Sequence, residues 1–220
     1  MATAVELRES FRDLPKEDRQ NNPDFSIRVW RGLSWLERAE NAESDDLEGR
    51  FSSGWIAFNA LYGRLDEKQR PWGDREAMGT FLAQVWRLDH HRHIGKLLQK
   101  RQLRILRIIE DKYLCNRFWV SGGSPTKQIK RELRDSLAWI GTPKASNVLH
   151  LLFERLYVMR NQVMHGASTK GSKLNRRAMR ECGTLLLEMI QSLLEVMIEH
   201  GVGEDWGNVC FPPDGPDTKR

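Results

Sequence analysis

One short stretch of the chain, Arg160-Asn161-x-x-x-His165-Gly166, combines three side chains able to process a phosphodiester without a metal ion. A histidine titrating near neutrality serves as general base or acid. A guanidinium donates two parallel hydrogen bonds to phosphate oxygens and stabilises charge on a phosphorane-like transition state. A neutral amide such as Asn161 orients the imidazole or the phosphate. Gly166 is a natural helix stop, which puts His165 in the last turn, where the helix dipole favours the imidazolium. Asn161 and His165, four apart, are neighbours on a helix. Arg160 and His165 are about 140° apart around an ideal helix. Their tips converge only if the helix end is distorted, the arginine curls, or a second subunit completes the site. The alternative is an interface salt-bridge arginine and an exposed helix end.

The segment carrying these residues is predicted as a helix from Ser146 to about His165. Val148, Leu151, Leu152, Leu156, Met159 and Val163 form its core face, and Leu149, Phe153, Tyr157 and Met164 widen the apolar arc. So broad an arc implies two buried sides, one toward a bundle and one toward a partner subunit or a long loop. Apolar residues recur at three and four over most of the chain, which predicts an all-α, antiparallel up-and-down helical bundle with additional short helices. A helix from Val5 to about Leu14 is stopped by Pro15, and Lys16 to Pro23 reads as a loop. The next helix is capped near Asp24 and carries Ile27, Trp30, Leu33 and Leu36. An aromatic helix follows, with the spine Phe51, Trp55, Phe58, Tyr62 and Leu65. Asp74 is the expected cap of a helix burying Met78, Phe81, Leu82, Val85 and Trp86. Further helices are expected over Ile94 to Leu114, Thr126 to Ile140, and Leu174 to about His200. No internal repeat or linker divides the chain, so residues 1–220 read as one helical domain, with a core at about 24–200 and an irregular tail at 201–220.

Other residues offer weaker chemistry. Lys170, Lys173, Arg176 and Arg177 follow the motif and either position phosphate or are ordinary solvated cations. Asn59 lies at the edge of the aromatic stripe, where it either reaches the cleft or caps and bonds locally. Lys96, Lys100, Arg104 and Arg107 make one stripe that reads as a solvated face. His90, His91 and His93 lack ligand partners at helical spacing apart from Asp89 with His93, so no metal is expected and they read as a polar helix end. The tryptophans Trp30, Trp55 and Trp86 are assigned to buried sides. A Gly-rich phosphate loop, a Gly-x-Ser-x-Gly elbow and a His-Glu-x-x-His pair are all missing, so nucleotide hydrolase, esterase and metalloprotease readings lose their usual support and no cofactor is expected.

The 220 residues are 40% hydrophobic and 30% charged, which excludes a disordered chain. A net charge of +5 is compatible with nucleic acid, although acidic residues are mixed among the basic ones. Cys115, Cys182 and Cys210 form no Cys-x-x-Cys pair and read as free thiols. The stretch from Leu185 to Ile198 is interrupted by Glu188, Gln191, Ser192 and Glu195, which argues against a membrane span. Charges from Glu6 to Asp13 stand where a signal peptide needs an apolar core, so a cytoplasmic location is expected.

Arg160-Asn161-x-x-x-His165, late in a helix and followed by glycine and another long helix, resembles the Arg-x4–6-His signature of the HEPN superfamily. The helix Phe51-Ser-Ser-Gly-Trp55-Ile-Ala-Phe58-Asn59-Ala-Leu-Tyr62 is similar to the earlier helix of stand-alone bacterial members. The resemblance covers about residues 24–200. It implies a homodimer with the motifs of two subunits facing one cleft, and metal-independent RNA cleavage in toxin or phage-defence systems. Arg160, Asn161 and His165 would then be the catalytic residues. Relatives that keep the fold and lose activity imply the alternative of an RNA- or protein-binding module, partnered by an antitoxin or a nucleotidyltransferase.

Overall fold

The computed structural model describes residues 2–120, 125–167 and 175–212. Among them the protein is an all-α bundle, and its only β-type pairing is two isolated bridges, Arg64 with Val209 and Leu65 with Pro71. No helix among the described residues is long and apolar enough to cross a membrane.

Helix α1 (Ala4–Asp13) opens with a capping box. The Thr3 hydroxyl accepts from the Glu6 amide and Glu6 Oε2 accepts from the Thr3 amide at 2.7 Å. That bond from the Thr3 amide, with the Thr3 hydroxyl donating to Glu6 Oε2 at 2.9 Å, holds the exposed Glu6 carboxyl below its usual range. Where a loop is predicted after Pro15, a second helix, α2 (Lys16–Asn21), forms instead. It buries no residue, so it carries no apolar periodicity, and Glu17 and Asp18 in its first turn complement the helix dipole. Helix α3 (Pro23–Glu40) starts with proline at its first position, so the predicted cap Asp24 sits inside the first turn. Its carboxylate instead accepts from the Val209 amide at 3.0 Å. Trp30, assigned to a buried side, is 47% exposed, and the guanidiniums of Arg8 and Arg12 lie over its ring.

Helix α4 (Leu47–Tyr62) is capped by Asp46, which accepts from the Gly49 amide at 3.0 Å. Phe51, Trp55, Phe58 and Tyr62 of its aromatic spine are buried as expected, whereas Leu65 lies past the helix end and is only half-buried, and Phe58 meets Tyr62, Phe81 and Phe153 with ring centroids 4.8, 6.0 and 4.4 Å apart. Two glycines set the spacing of this layer. A Cβ on Gly32 would come within 2.6 Å of Leu61, and one on Gly54 within 2.8 Å of Leu187, so α3 and the last helix can approach α4 closely.

Helix α5 (Asp74–Leu88) buries Met78, Phe81, Leu82 and Val85. The single helix predicted over Ile94 to Leu114 is divided into α6 (His93–Lys100), α7 (Gln102–Glu110) and a 3-10 turn at Lys112–Leu114. The break falls at Arg101, whose Nε donates to Glu188 Oε2 at 2.8 Å. The basic stripe is thereby split. Lys96 and Lys100 stay exposed, while Arg104 and Arg107 face Glu181 at 2.7 and 3.8 Å.

After α8 (Asn116–Val120) and α9 (Thr126–Trp139) come the two long helices, α10 (Ala145–Met164) and α11 (Arg176–His200). Helix α11 is the axis of the bundle, buried on several sides and packed against α1, α3, α4, α5, α6, α7 and α10. Most of the wide apolar arc of α10 is covered within one chain, but Met164 at its end stays 45% exposed. Phe153 and Tyr157 meet Phe58 and Trp55 of α4, and buried Arg155 pairs with Glu132 of α9. The packed body reaches past residues 24–200 at both ends. Ala4, Leu7 and Phe11 are buried at one end, and Trp206 and Val209 at the other. Arg28, fully buried in α3, fastens that carboxyl-terminal segment by donating to the carbonyls of Leu61, Gly63 and Gly207 at 3.1, 2.5 and 2.9 Å. Burial pulls its pKa down to about 10, which leaves it charged at neutral pH.

Candidate functional site

The last turns of α10 carry the motif, and a Schellman cap ends the helix. Gly166 adopts φ +63°, the Gly166 amide donates to the Val163 carbonyl at 3.2 Å, and the Ala167 amide donates to the Gln162 carbonyl at 2.9 Å. His165 is the C-cap residue, and its amide donates to the Asn161 carbonyl at 3.0 Å. Its side chain is exposed and has no hydrogen-bond partner among the described residues.

Arg160 is held on a different side of the helix. Its Nη1 donates to Asn161 Oδ1 at 3.0 Å, its Nη2 lies 3.7 Å from Asp74 Oδ2, and its guanidinium lies 5.6 Å from the centroid of the Tyr157 ring. The Nε is shielded from solvent and has no hydrogen-bond partner among the described residues. Asp74 also accepts from the Tyr62 hydroxyl at 3.3 Å. Burial first, and the Asp74 carboxylate second, push the Tyr62 phenol far above its usual value, so it remains a donor. The other side of this patch is occupied by Arg75, 5.0 Å from the Tyr157 centroid and 3.7 Å from Glu154.

The structure thus joins Arg160 to Asn161. It does not join Arg160 to His165, whose imidazole is bonded to neither. This agrees with the angular separation on an undistorted helix. Within one chain the two side chains stand apart on different sides of the helix end.

The remaining predicted residues that the structure describes fall in two grooves. Asn59 is exposed and lines one of about 260 Å3 together with Arg31, Tyr62, Arg64, Trp72 and Asp74. It therefore shares a wall with the carboxylate that faces Arg160. Arg176 and Arg177 open α11 and line a second groove, of about 420 Å3, with Arg107, Tyr113 and Glu181. Arg176 is half-buried and donates to the Asp45 carbonyl at 3.2 Å, whereas Arg177 is exposed. Lys170 and Lys173 lie outside the described residues.

Asp74, Tyr62 and Tyr157 are the neighbours of Arg160 that spacing did not reveal. Asp74 reads as a helix cap and the two tyrosines as core aromatics. The available signal was an arginine inside an apolar arc, which requires a nearby carboxylate, but only the fold selects which one. On the polar face of α10, burial lowers the pKa of His150, opposed by the charge of Glu154. No family model matches the chain, and neither a curated protein nor a solved structure is significantly similar to it.

Proposed function

We propose that the protein is a metal-independent endoribonuclease of HEPN type, acting on RNA as a homodimer in a toxin or phage-defence setting. The observation that carries this reading is the arrangement at the end of α10. Arg160 and Asn161 are joined side chain to side chain, and an exposed imidazole with no hydrogen-bond partner among the described residues stands one turn further, at His165. In the reaction, the His165 imidazole takes the proton of the ribose 2′-hydroxyl and the 2′-oxygen attacks the adjacent phosphorus. The 5′-oxygen leaves with a proton returned by an imidazolium, so the products are a 2′,3′-cyclic phosphate and a 5′-hydroxyl. Arg160 binds the phosphate oxygens and stabilises the added charge, while Asn161 fixes the guanidinium. Because the two half-sites diverge within one chain, a second copy supplies the complement.

The deciding experiment incubates labelled structured RNA with wild type and His165→Ala in EDTA and reads the fragment ends. Cyclic phosphates produced only by wild type support the reading. Cleavage that EDTA abolishes, or that His165→Ala retains, overturns it. A second reading is favoured by the Asp74–Arg160 pairing at 3.7 Å, which leaves the guanidinium partly neutralised. In that reading the chain is a catalytically silent module that binds RNA, or a protein such as an antitoxin or nucleotidyltransferase. A folded protein that binds RNA with a salt-dependent affinity and leaves it intact is the outcome that selects it.

A further inference from the structure

Four imidazoles and two carboxylates meet at the end of α11, drawn from three parts of the chain. His90 and His91 lie in the turn after α5, His93 is the first residue of α6, and Glu195, Glu199 and His200 belong to α11. Glu199 Oε2 lies 2.8 Å from His91 Nδ1, 2.9 Å from His93 Nε2 and 3.7 Å from His200 Nε2. Ligand atoms of His91, Glu199 and His200 all fall within 4.8 Å of one another. On its far side, His93 Nδ1 lies 3.4 Å from Glu195 Oε2.

Hydrogen bonding alone does not satisfy this cluster. One carboxylate oxygen has two lone pairs and is approached by three ring nitrogens. The nitrogen left over is His200 Nε2, which is shielded from solvent and has no hydrogen-bond partner among the described residues. A divalent cation of the zinc class accepts imidazole nitrogen and carboxylate oxygen together, at about 2.0–2.2 Å, and so engages His91, His200 and Glu199 at once while leaving Glu199 one lone pair for His93. The backbone that carries the histidines is already fixed. Asp89, the carboxylate that spacing pairs with His93, is engaged as a cap, accepting from the amides of His93, Ile94 and Gly95 at 2.6, 3.1 and 3.2 Å. Arg92 completes the turn in a left-handed conformation, φ 59°.

We propose that His91, Glu199 and His200 bind a first-row divalent cation of the zinc class, with His93 positioning the Glu199 carboxylate and Glu195 positioning His93. Three protein ligands leave a coordination position for water. The relay Glu195–His93–Glu199 has the form of an outer shell that orients a ligating group. The bound ion ties the turn between α5 and α6 to the last turn of α11. Its ligands are distinct from Arg160, Asn161 and His165 on α10, so the site stands or falls independently of RNA cleavage.

The test uses the untagged full chain, stripped with EDTA and desalted, then titrated with Zn2+ by calorimetry and with Co2+ by visible absorption. One equivalent is expected to bind, with a rise in Tm and cobalt d–d bands lacking strong thiolate charge transfer. His93→Ala, which removes only the positioning group, is expected to weaken binding by about 10–100-fold. His200→Ala and Glu199→Gln remove ligands and are expected to weaken it further, with circular dichroism checking that each variant folds. Three results would overturn the proposal. One is the lack of saturable binding of either ion to wild type. The second is full-strength binding to a folded His91→Ala/His200→Ala variant. The third is a thiolate charge-transfer band in wild type, which needs no variant and would move the ion to a cysteine.

Discussion

The Asp74 carboxylate lies 3.7 Å from the Arg160 guanidinium, joining the first residue of α5 to the penultimate turn of α10. Both groups are partly exposed, so the pair contributes no more than about 1 kcal/mol to stability. Asp74→Asn is therefore expected to shift the urea midpoint only slightly. It should nevertheless strengthen RNA binding several-fold at low salt, because a guanidinium released from its carboxylate is available for phosphate. Affinity measured across a salt series checks this, and an unchanged affinity argues against a phosphate role for Arg160.

A composite site predicts complementation. His165→Ala and Arg160→Ala are each expected to be inactive alone and to recover part of the cleavage when mixed, since a mixed dimer keeps one intact Arg160 and one intact His165 facing each other. Absence of recovery at every mixing ratio, with dimers verified by light scattering, counts against a shared cleft.

His150 gives the fold an acid-side sensitivity. Its folded pKa is depressed, mainly by burial, so the unfolded chain binds the proton more readily in the window below the usual histidine value near 6.5. The stability from neutral His150 is fully present above that pH and is lost as pH falls through the window. His150→Asn should lose less stability than wild type between pH 7.5 and 5.5 in urea unfolding. Equal losses would assign the acid sensitivity to other groups.

Arg155 and Glu132 form an ion pair with side chains only 4% and 14% exposed. Removing one partner strands a buried charge, so Arg155→Ala is expected to cost about 3–5 kcal/mol. The double variant Arg155→Met/Glu132→Leu should cost far less than the sum of the single changes. Urea midpoints around the double-mutant cycle test this, and simple additivity would show that the pair is not coupled.

What could be read from the sequence follows from where each signal resides. The aromatic spine of α4, the length of α10 and its glycine stop are encoded locally, in apolar spacing and one residue able to adopt positive φ. The loop predicted at Lys16 to Pro23 hides α2 because a helix that buries nothing leaves no periodic trace. The break at Arg101 coincides with its pairing to Glu188, far along the chain, which does not show in a window of helical length. Trp30 carries the right spacing but turns outward beneath two arginines. Asp74 beside Arg160, and His91 beside Glu199 and His200, are juxtapositions made by the packing of α5, α6, α10 and α11, and neighbouring residues do not encode them.

The buried Arg28 makes residues 201–212 a participant in the folding transition. Its three acceptor carbonyls come from the end of α4 and from Gly207, so detaching the segment takes away the acceptor of its Nη2 and uncovers a charge that the folded chain keeps fully buried. Amide protons at the end of α4 should therefore exchange with deuterium in the same cooperative opening as those around Trp206. A proteolytic nick just ahead of Gly207 would loosen the aromatic layer beneath it rather than merely trim the surface.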